Sequence, residues 1–329
     1  MKILITGSAG YIGSCAYEYF KEKFDVFGVD KKYPPIRKQK KFIKCNLLNY
    51  KEIKKIIKKI NPDIVIHLAG QSTIDFIKRE NLYKNNNLVA TSNLIKLVKK
   101  NKIKYFLFSS TGAVYKASAN KLHENYKLIP KNIYGKTKLT NEKQIKKNFK
   151  NSTTKFIIFR FFNVCSSLAK NKIGEYHNPE THLIPLIIQK AYERKKIFIY
   201  GKNYNTKDGT CVRDYIHIKD IISAFEKGIN YLTKKNTSKV INLGSNKGFS
   251  NLEVVQFSKK NLLKENVKLE FEYSKKRLGD NAKLICSNFL AKKLLGWYPK
   301  HSTLKKIIND EIIWYLYLRS KKIFKKGIY

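Results

Sequence analysis

The sequence of 329 residues predicts an α/β protein: a doubly wound parallel sheet with a smaller, partly discontinuous C-terminal lobe. Three observations carry that expectation. Short apolar runs alternate with amphipathic helical patterns from residue 1 to about 165. Three glycines, Gly7, Gly10 and Gly13, separate the first apolar run from the first helical pattern. Polar and small residues gather where the apolar runs end. Strands separated by helices and joined by right-handed crossovers pair in parallel, and ligands bind at their carboxyl ends.

In chain order, Lys2–Thr6 reads as the first strand and runs into Gly7-Ser8-Ala9-Gly10-Tyr11-Ile12-Gly13, with a helical pattern near 12–22. A strand, a tight glycine turn and a helix start point backbone N–H groups at a pyrophosphate, which a Cβ at those positions would obstruct. Asp25–Val29 reads as the second strand and is followed by Asp30, an acceptor for an adenosine ribose that disfavours a 2′-phosphate. The expected cofactor is therefore NAD, although Lys31 and Lys32 follow directly. Further strands are expected at Lys41–Lys44, Asp63–His67, Lys104–Ser109 and Lys155–Phe161, with helices near 51–60, 85–101 and 132–149. In 51–60 the isoleucines Ile53, Ile56, Ile57 and Ile60 share one face and lysines fill the other. Beyond 165 the pattern becomes irregular, with short strands at Ile197–Tyr200, Val240–Asn242 and Lys268–Phe271. The division expected is 1–165 for the cofactor domain and 166–329 mainly for a substrate lobe, with some later segments returning to the first.

The formal charge is +44, from 68 Lys and Arg against 24 Asp and Glu. The lysines are spread over nearly every helix, whereas a nucleic-acid-binding protein gathers them on one face. Neither a nucleic-acid nor a membrane partner is expected, but the charge attracts anionic ligands. The most apolar run, Phe156–Cys165, contains Arg160 and is too short to span a bilayer. The opening Ile3-Leu4-Ile5 is too short for a signal peptide. Five scattered cysteines without a Cys-x-x-Cys pair point to reduced thiols and a cytoplasmic location. The six histidines suggest no ligand spacing, so no metal is expected.

The catalytic candidate is Tyr134-Gly135-Lys136-Thr137-Lys138. Residues four apart share a helix face, which sets the Lys138 ammonium beside the Tyr134 phenol. A free tyrosine titrates at about 10, and a neighbouring cation stabilises the phenolate as a general base. Tyr and Lys at this spacing are also an ordinary surface pair. Ser109-Ser110-Thr111 supplies hydroxyls upstream; Thr111 is placed to bond the same substrate oxygen or simply to cap a turn.

Together the glycine loop, Ser109-Ser110-Thr111 and Tyr134-x-x-x-Lys138 resemble the extended short-chain dehydrogenase/reductase family, whose sheet is Rossmann-like. Pro179-Glu180-Thr181-His182-Leu183-Ile184-Pro185, the block Asp208–His217 and Arg277-Leu278-Gly279-Asp280 resemble its UDP-glucose 4-epimerase branch, in order along the whole chain. The resemblance implies inversion at C4 of a UDP-hexose by transient hydride transfer to tightly bound NAD. Tyr134 would act as base, Thr111 would orient the sugar hydroxyl, and Lys138 would lower the Tyr134 pKa and hold the nicotinamide ribose. It assigns the cofactor to Gly7, Gly10, Tyr11, Ile12, Gly13, Asp30, Asn46 and Leu47. Leu68, Ala69, Gly70, Asn87, Ser109, Tyr134, Lys138 and Phe162 complete that set. It assigns the diphosphate to Asn163, Arg213 and Arg277, uracil to Tyr200, and the rest of the nucleotide to His182, Leu183 and Asp280. It further implies a homodimer formed through the helices near 85–101 and 132–149.

Three positions depart from the family pattern. Asn46 stands where an adenine-contacting Asp is usual, Ser72 where a Lys often touches the cofactor, and Leu284 where a Tyr narrows the sugar pocket. Leu284 leaves N-acetylated hexoses open as substrates, and other UDP-sugars remain alternatives. A nucleotide-sugar 4,6-dehydratase needs Asp-Glu after the Thr; here Gly112-Ala113 follows. From another class, the fold could serve a non-catalytic NAD- or nucleic-acid-binding protein.

Overall fold

The structure is a computed structural model that describes residues 1–72, 80–118, 120–177, 179–277 and 279–323. Leu278 of the Arg277–Asp280 motif lies outside the described residues. Strands β1 (Lys2–Thr6), β2 (Asp25–Asp30), β3 (Phe42–Lys44), β4 (Ile64–His67), β5 (Tyr105–Thr111) and β6 (Lys155–Phe161) follow the expected order, within a residue or two at each end. They form one parallel sheet with Lys239–Leu243, in the order Lys239–Leu243, β6, β5, β4, β1, β2, β3. The direction of winding reverses between β1 and β4. A crevice opens there at the carboxyl ends, because the loops leaving the two strands turn to opposite faces.

Both faces of the sheet are covered, which is why its strands read as unbroken apolar runs. Ile3, Ile5, Ile157 and Phe159 face one core with the helices Tyr11–Phe20 and Ile218–Lys235. Leu4, Val65, Phe106 and Ile158 face the other with the helices Tyr50–Ile60, Ala90–Lys100 and Ile133–Phe149. A third core unites the helices Leu183–Tyr192, Asn251–Leu263 and Leu304–Ser320 in the C-terminal half.

Three elements differ from expectation. The strand at Val240–Asn242 extends over Lys239–Leu243 and is the edge of the main sheet, with Val240 opposite Ile158. The strand expected at Lys268–Phe271 lies at Phe271–Ser274, because the four residues Ile197–Tyr200 pair in register with Phe271–Ser274. The helix expected over 85–101 is broken into Glu80–Tyr83, a π-helical turn Lys84–Val89, and Ala90–Lys100. Such turns recur beside functional sites because they re-aim one side chain. Here that side chain is Asn87, the buried residue of the turn.

Candidate active site

The glycine loop is dictated by its own packing. Gly7 has φ +76, and a Cβ there would stand 2.5 Å from Ala69 N; a Cβ on Gly13 would stand 2.0 Å from Gly7 O. The helix Tyr11–Phe20 begins with no side-chain cap and no acidic residue in its first turn. Its first N–H groups therefore stay available to an anion, on the positive end of the helix dipole. Asp30 at the end of β2 accepts from Ala9 N at 3.1 Å and Lys32 N at 3.2 Å, so it also braces the loop. Burial raises its pKa, against these backbone bonds.

A cavity of about 1020 Å³ runs from this loop across the carboxyl ends of the strands. That volume matches the upper end of ligand pockets, enough for two extended ligands placed end to end. Gly7, Gly10, Tyr11, Ile12, Gly13, Leu68 and Gly70 line one end. Ser109, Thr111, Tyr134, Lys138 and Phe162 form the middle. Asn163, His182, Leu183, Tyr200, Arg213, Arg277, Asp280 and Leu284 line the other end. Ser72 also reaches the cavity.

Asp30, Asn46, Leu47, Ala69 and Asn87 are not brought to its wall. Asn46 is exposed, and its amide oxygen accepts from Leu48 N at 3.1 Å, closing its own turn. Leu47 is buried, and its carbonyl accepts from Asn93 Nδ2 at 3.0 Å. Asn87 grips the segment after β4 from behind: Oδ1 accepts from Gln71 N at 2.7 Å, and Nδ2 donates to Gln71 O at 3.2 Å and Thr137 Oγ1 at 3.0 Å. The π turn aims Asn87 there.

The middle of the cavity is assembled by one close approach. Asn132 caps the helix Ile133–Phe149, its Oδ1 accepting from Gly135 N at 2.8 Å. A Cβ on Gly135 would meet Ala113 O at 2.5 Å, so glycine lets the helix touch the turn that follows β5. Tyr134 is thereby delivered to Thr111, whose Oγ1 accepts from Ala113 N at 3.1 Å and whose hydroxyl bonds the phenol. Burial pushes the Tyr134 pKa up to about 12; the Thr111 bond pulls it down and Tyr83 adds to the rise.

Lys138 corrects one expectation. Its ammonium donates to the Ser109 carbonyl at 2.7 Å and lies 5.9 Å from the centre of the Tyr134 ring. The depressed Tyr134 pKa expected from spacing is absent in the protein alone, because desolvation of the phenol dominates. Burial also lowers Lys138 to about 8, with Glu142 pulling it back up.

Sequence reading missed the group behind them. Arg160 donates from Nε and Nη2 to the two Glu142 oxygens at 2.9 and 2.7 Å, and both residues are 1% exposed. Ser110 Oγ donates to the same carboxylate. Arg160 Nη1 reaches Tyr115 OH at 2.8 Å and Glu124 O at 3.1 Å, and Tyr115 OH donates to Asn242 Oδ1 at 2.7 Å. Two signals were present: Tyr134, Lys138 and Glu142 fall four apart on one helix, and Arg160 is the lone charge in the apolar run Phe156–Cys165.

At the far end Arg213 does not pair with its neighbour Asp214. Its Nη2 lies 3.2 Å from Asp280 Oδ1 and Nη1 donates to Asn281 O at 2.7 Å. Asp214 is buried and accepts from Ser245 N, Asn246 N and Cys286 N. Burial raises its carboxyl to about 6 against those bonds. The Arg277 guanidinium stacks 3.7 Å above the centre of the Tyr200 ring. Leu284 lies opposite Arg213 in a parallel pairing. One end of the cavity thus offers a helix N-terminus, the other two guanidiniums, and a phenol with an adjacent hydroxyl lies between.

This arrangement agrees with what the chain is similar to. The model of the NAD dependent epimerase/dehydratase family matches residues 3–244. The sequence is 35% identical over 323 residues to the UDP-glucose 4-epimerase of Lactobacillus helveticus, covering 96% of this chain and 97% of that one. A crystal structure of UDP-glucose 4-epimerase matches with a TM-score of 0.90 at 35% identity, covering 97% of this chain and 98% of that one. The UDP-glucose-4-epimerase of Stenotrophomonas maltophila, with bound NAD and formylated UDP-arabinopyranose, matches with a TM-score of 0.91 at 27% identity, covering 98% and 99%.

Proposed function

The chain belongs to the NAD dependent epimerase/dehydratase family, and from that premise we propose that it inverts C4 of a UDP-hexose, with NAD as its resident cofactor. The observation that carries the reading is the union of Thr111, Tyr134 and Lys138 between a glycine-lined helix N-terminus and the Arg213–Arg277 end of one cavity.

The residues fit the cofactor. A Cβ on Gly7 or Gly13 would collide with backbone, the helix N-terminus behind them is uncapped, and Asp30 stands at the end of the neighbouring strand. Gly7, Gly10, Tyr11, Ile12 and Gly13 take the pyrophosphate, Asp30, outside the cavity wall but bonded to the loop at Ala9 N, takes the adenosine ribose beyond it, and Ser109, Lys138 and Phe162 take the nicotinamide end. Asn87 acts by holding Gly70 and Gln71 in place. When bound, NAD supplies a reversible acceptor for the hydrogen on C4.

The protein's own groups handle the proton and the orientation. Tyr134 removes the proton of the 4-hydroxyl and returns it after the 4-keto sugar has presented its other face. Thr111, already bonded to Tyr134, holds the sugar oxygen against the phenol. With the positive charge of bound NAD beside it, the Lys138 cation anchored on Ser109 would favour the Tyr134 phenolate as the base. Arg213, Arg277 and Asn163 bind the diphosphate, whose oxyanions suit guanidinium forks. Tyr200 lies beside the uracil, His182 and Leu183 line the nucleotide, and Asp280 takes the uridine ribose.

A dehydratase is disfavoured by the turn Gly112–Val114, which puts no acid or base after Thr111. Leu284, half-buried at the sugar end, leaves room for a 2-acetamido group. The chain acts as a homodimer in the cytoplasm; Val89, 40% exposed beside the Ala90–Lys100 helix, supports an association through that face. Among the described residues no helix is long and apolar enough to cross a membrane.

Purified protein incubated with UDP-galactose or UDP-GalNAc, without added NAD, tests the reading. Conversion to the gluco epimer, resolved by chromatography, is expected. Failure to convert any UDP-hexose overturns it.

A further inference from the structure

The sequence suggests no histidine ligand spacing, yet the fold gathers two histidines with two carboxylates. Glu175, His177, Glu180 and His182 each bring one donor atom to a common point, all four within 4.8 Å of one another. We propose that these four residues form a binding site for a divalent transition metal ion at the edge of the large cavity.

The donor set is two imidazoles and two carboxylates, the nitrogen and oxygen ligands that suit zinc and its neighbours. The spacing fits as well. Four ligands at about 2.0–2.1 Å from a tetrahedral ion stand about 3.3–3.4 Å apart. His177 Nδ1 lies 3.0 Å from Glu175 Oε1 and 3.8 Å from Glu180 Oε2, and His182 Nδ1 lies 3.9 Å from Glu180 Oε1. His182 Nδ1 also contacts Glu175 Oε1 directly.

An independent observation points to a missing ligand. The Glu175 side chain is fully buried, yet its Oε2 has no hydrogen-bond partner. A bare buried carboxylate oxygen is costly and uncommon, and a cation would satisfy it.

The surroundings hold the donors in place, as outer contacts do around metal sites. Trp314 Nε1 donates to Glu175 O at 2.7 Å, and Gly174 next to it is so close to the indole that a Cβ would stand 2.8 Å from Nε1. Glu180 Oε1 accepts from Thr181 N at 2.7 Å and His182 N at 2.8 Å, which fixes that carboxylate. His177, Thr181 and His182 line the cavity, so an ion can enter from solvent. All five cysteines are buried and offer no competing surface site.

The bound ion would tie the strand Ile173–Gly174 to the start of the helix Leu183–Tyr192. That helix start supplies His182 and Leu183 to the cavity. The site needs no assumption about which sugar the cavity accepts.

Tag-free, full-length protein, extracted with chelator and re-equilibrated, is titrated with Zn²⁺ by calorimetry and with Co²⁺ by visible absorption. The expectation is one saturable Zn²⁺ site per chain and a Co²⁺ spectrum of four-coordinate intensity. His177→Ala and Glu180→Gln, which leave the buried Glu175 in place, should each weaken binding by about tenfold or more while circular dichroism stays unchanged. Absence of saturable binding, or binding that both substitutions leave intact, overturns the proposal and leaves the cluster as imidazolium–carboxylate pairs.

Discussion

Lys138 directs its ammonium at the Ser109 carbonyl, 2.7 Å away, while Tyr134 is bonded instead by the Thr111 hydroxyl. Lysine and tyrosine thus share a helix face without sharing a hydrogen bond. The lysine is a fixed charge set at one depth in the cavity, and in the proposed reaction the tyrosine is the group that moves a proton.

Removing that proton carrier should separate chemistry from binding. Tyr134→Phe is expected to lower kcat by about 10²- to 10⁴-fold, the usual worth of a positioned acid–base group. UDP affinity, measured by calorimetry, should change little because the diphosphate is assigned to Asn163, Arg213 and Arg277 and not to the phenol. A Phe variant with near-normal turnover would mean that another group is the base.

The pH profile should report Lys138. Its pKa is lowered to about 8, so the cation is lost as pH rises through that value. Tyr134, at about 12, is mostly protonated in this range, so kcat/KM should climb with its phenolate fraction at low pH and level off as Lys138 loses its charge near 8. The same shift has a stability consequence. Between about 8 and the ordinary lysine value of 10.5 the unfolded chain holds a proton that the folded one has released. This group's contribution to stability therefore rises with pH across that window. Steady-state kinetics from pH 6 to 10 check the first point, and urea unfolding of the same samples checks the second.

The Arg160–Glu142 pair should be expensive to break and cheap to replace. Arg160→Met or Glu142→Leu alone leaves a buried charge uncompensated, at about 3–5 kcal/mol. The double variant Arg160→Met, Glu142→Leu should be less destabilised than either single change. Urea unfolding of all four proteins in a double-mutant cycle gives the coupling directly.

The glycine loop should determine cofactor retention. Gly13→Ala sets a Cβ against Gly7 O, which forces the loop off the helix N-terminus and costs about 1–3 kcal/mol as overpacking. Wild-type protein is expected to release NAD stoichiometrically on denaturation, measured by absorbance after filtration. Gly13→Ala should arrive largely empty.

Leu284→Tyr should narrow the sugar end. Turnover of UDP-GalNAc should fall by about tenfold or more relative to UDP-galactose, the scale that steric exclusion of a small group reaches. Equal losses on both substrates would show that Leu284 does not face the 2-substituent.

Much of this was readable in advance because local chemistry encodes it. Parallel strands covered on both faces must be apolar throughout, so β1, β4 and β6 declared themselves. The glycines at 7 and 13 were forced by backbone contact, and Tyr134 to Lys138 is a single helical repeat. What escaped depends on partners far along the chain. Nothing near Lys138 announces that a carbonyl 29 residues earlier takes its charge. Arg160 reveals its role only when Glu142 is opposite. The strand Phe271–Ser274 is placed by Ile197–Tyr200, and the π turn by the need of Gln71 for Asn87. The spacing of Glu175, His177, Glu180 and His182 lay in plain view, but nothing except their convergence distinguishes it from a polar loop.

The edge strand Lys239–Leu243 sets a schedule for the ribosome. Until it arrives, β6 presents an open flank of unpaired N–H and C=O groups. Asn242, which closes the chain of bonds from Arg160 through Tyr115, is also still unmade. The first half of the chain can therefore collapse during synthesis but not finish, and truncation before residue 243 leaves an aggregation-prone fragment rather than a working cofactor domain.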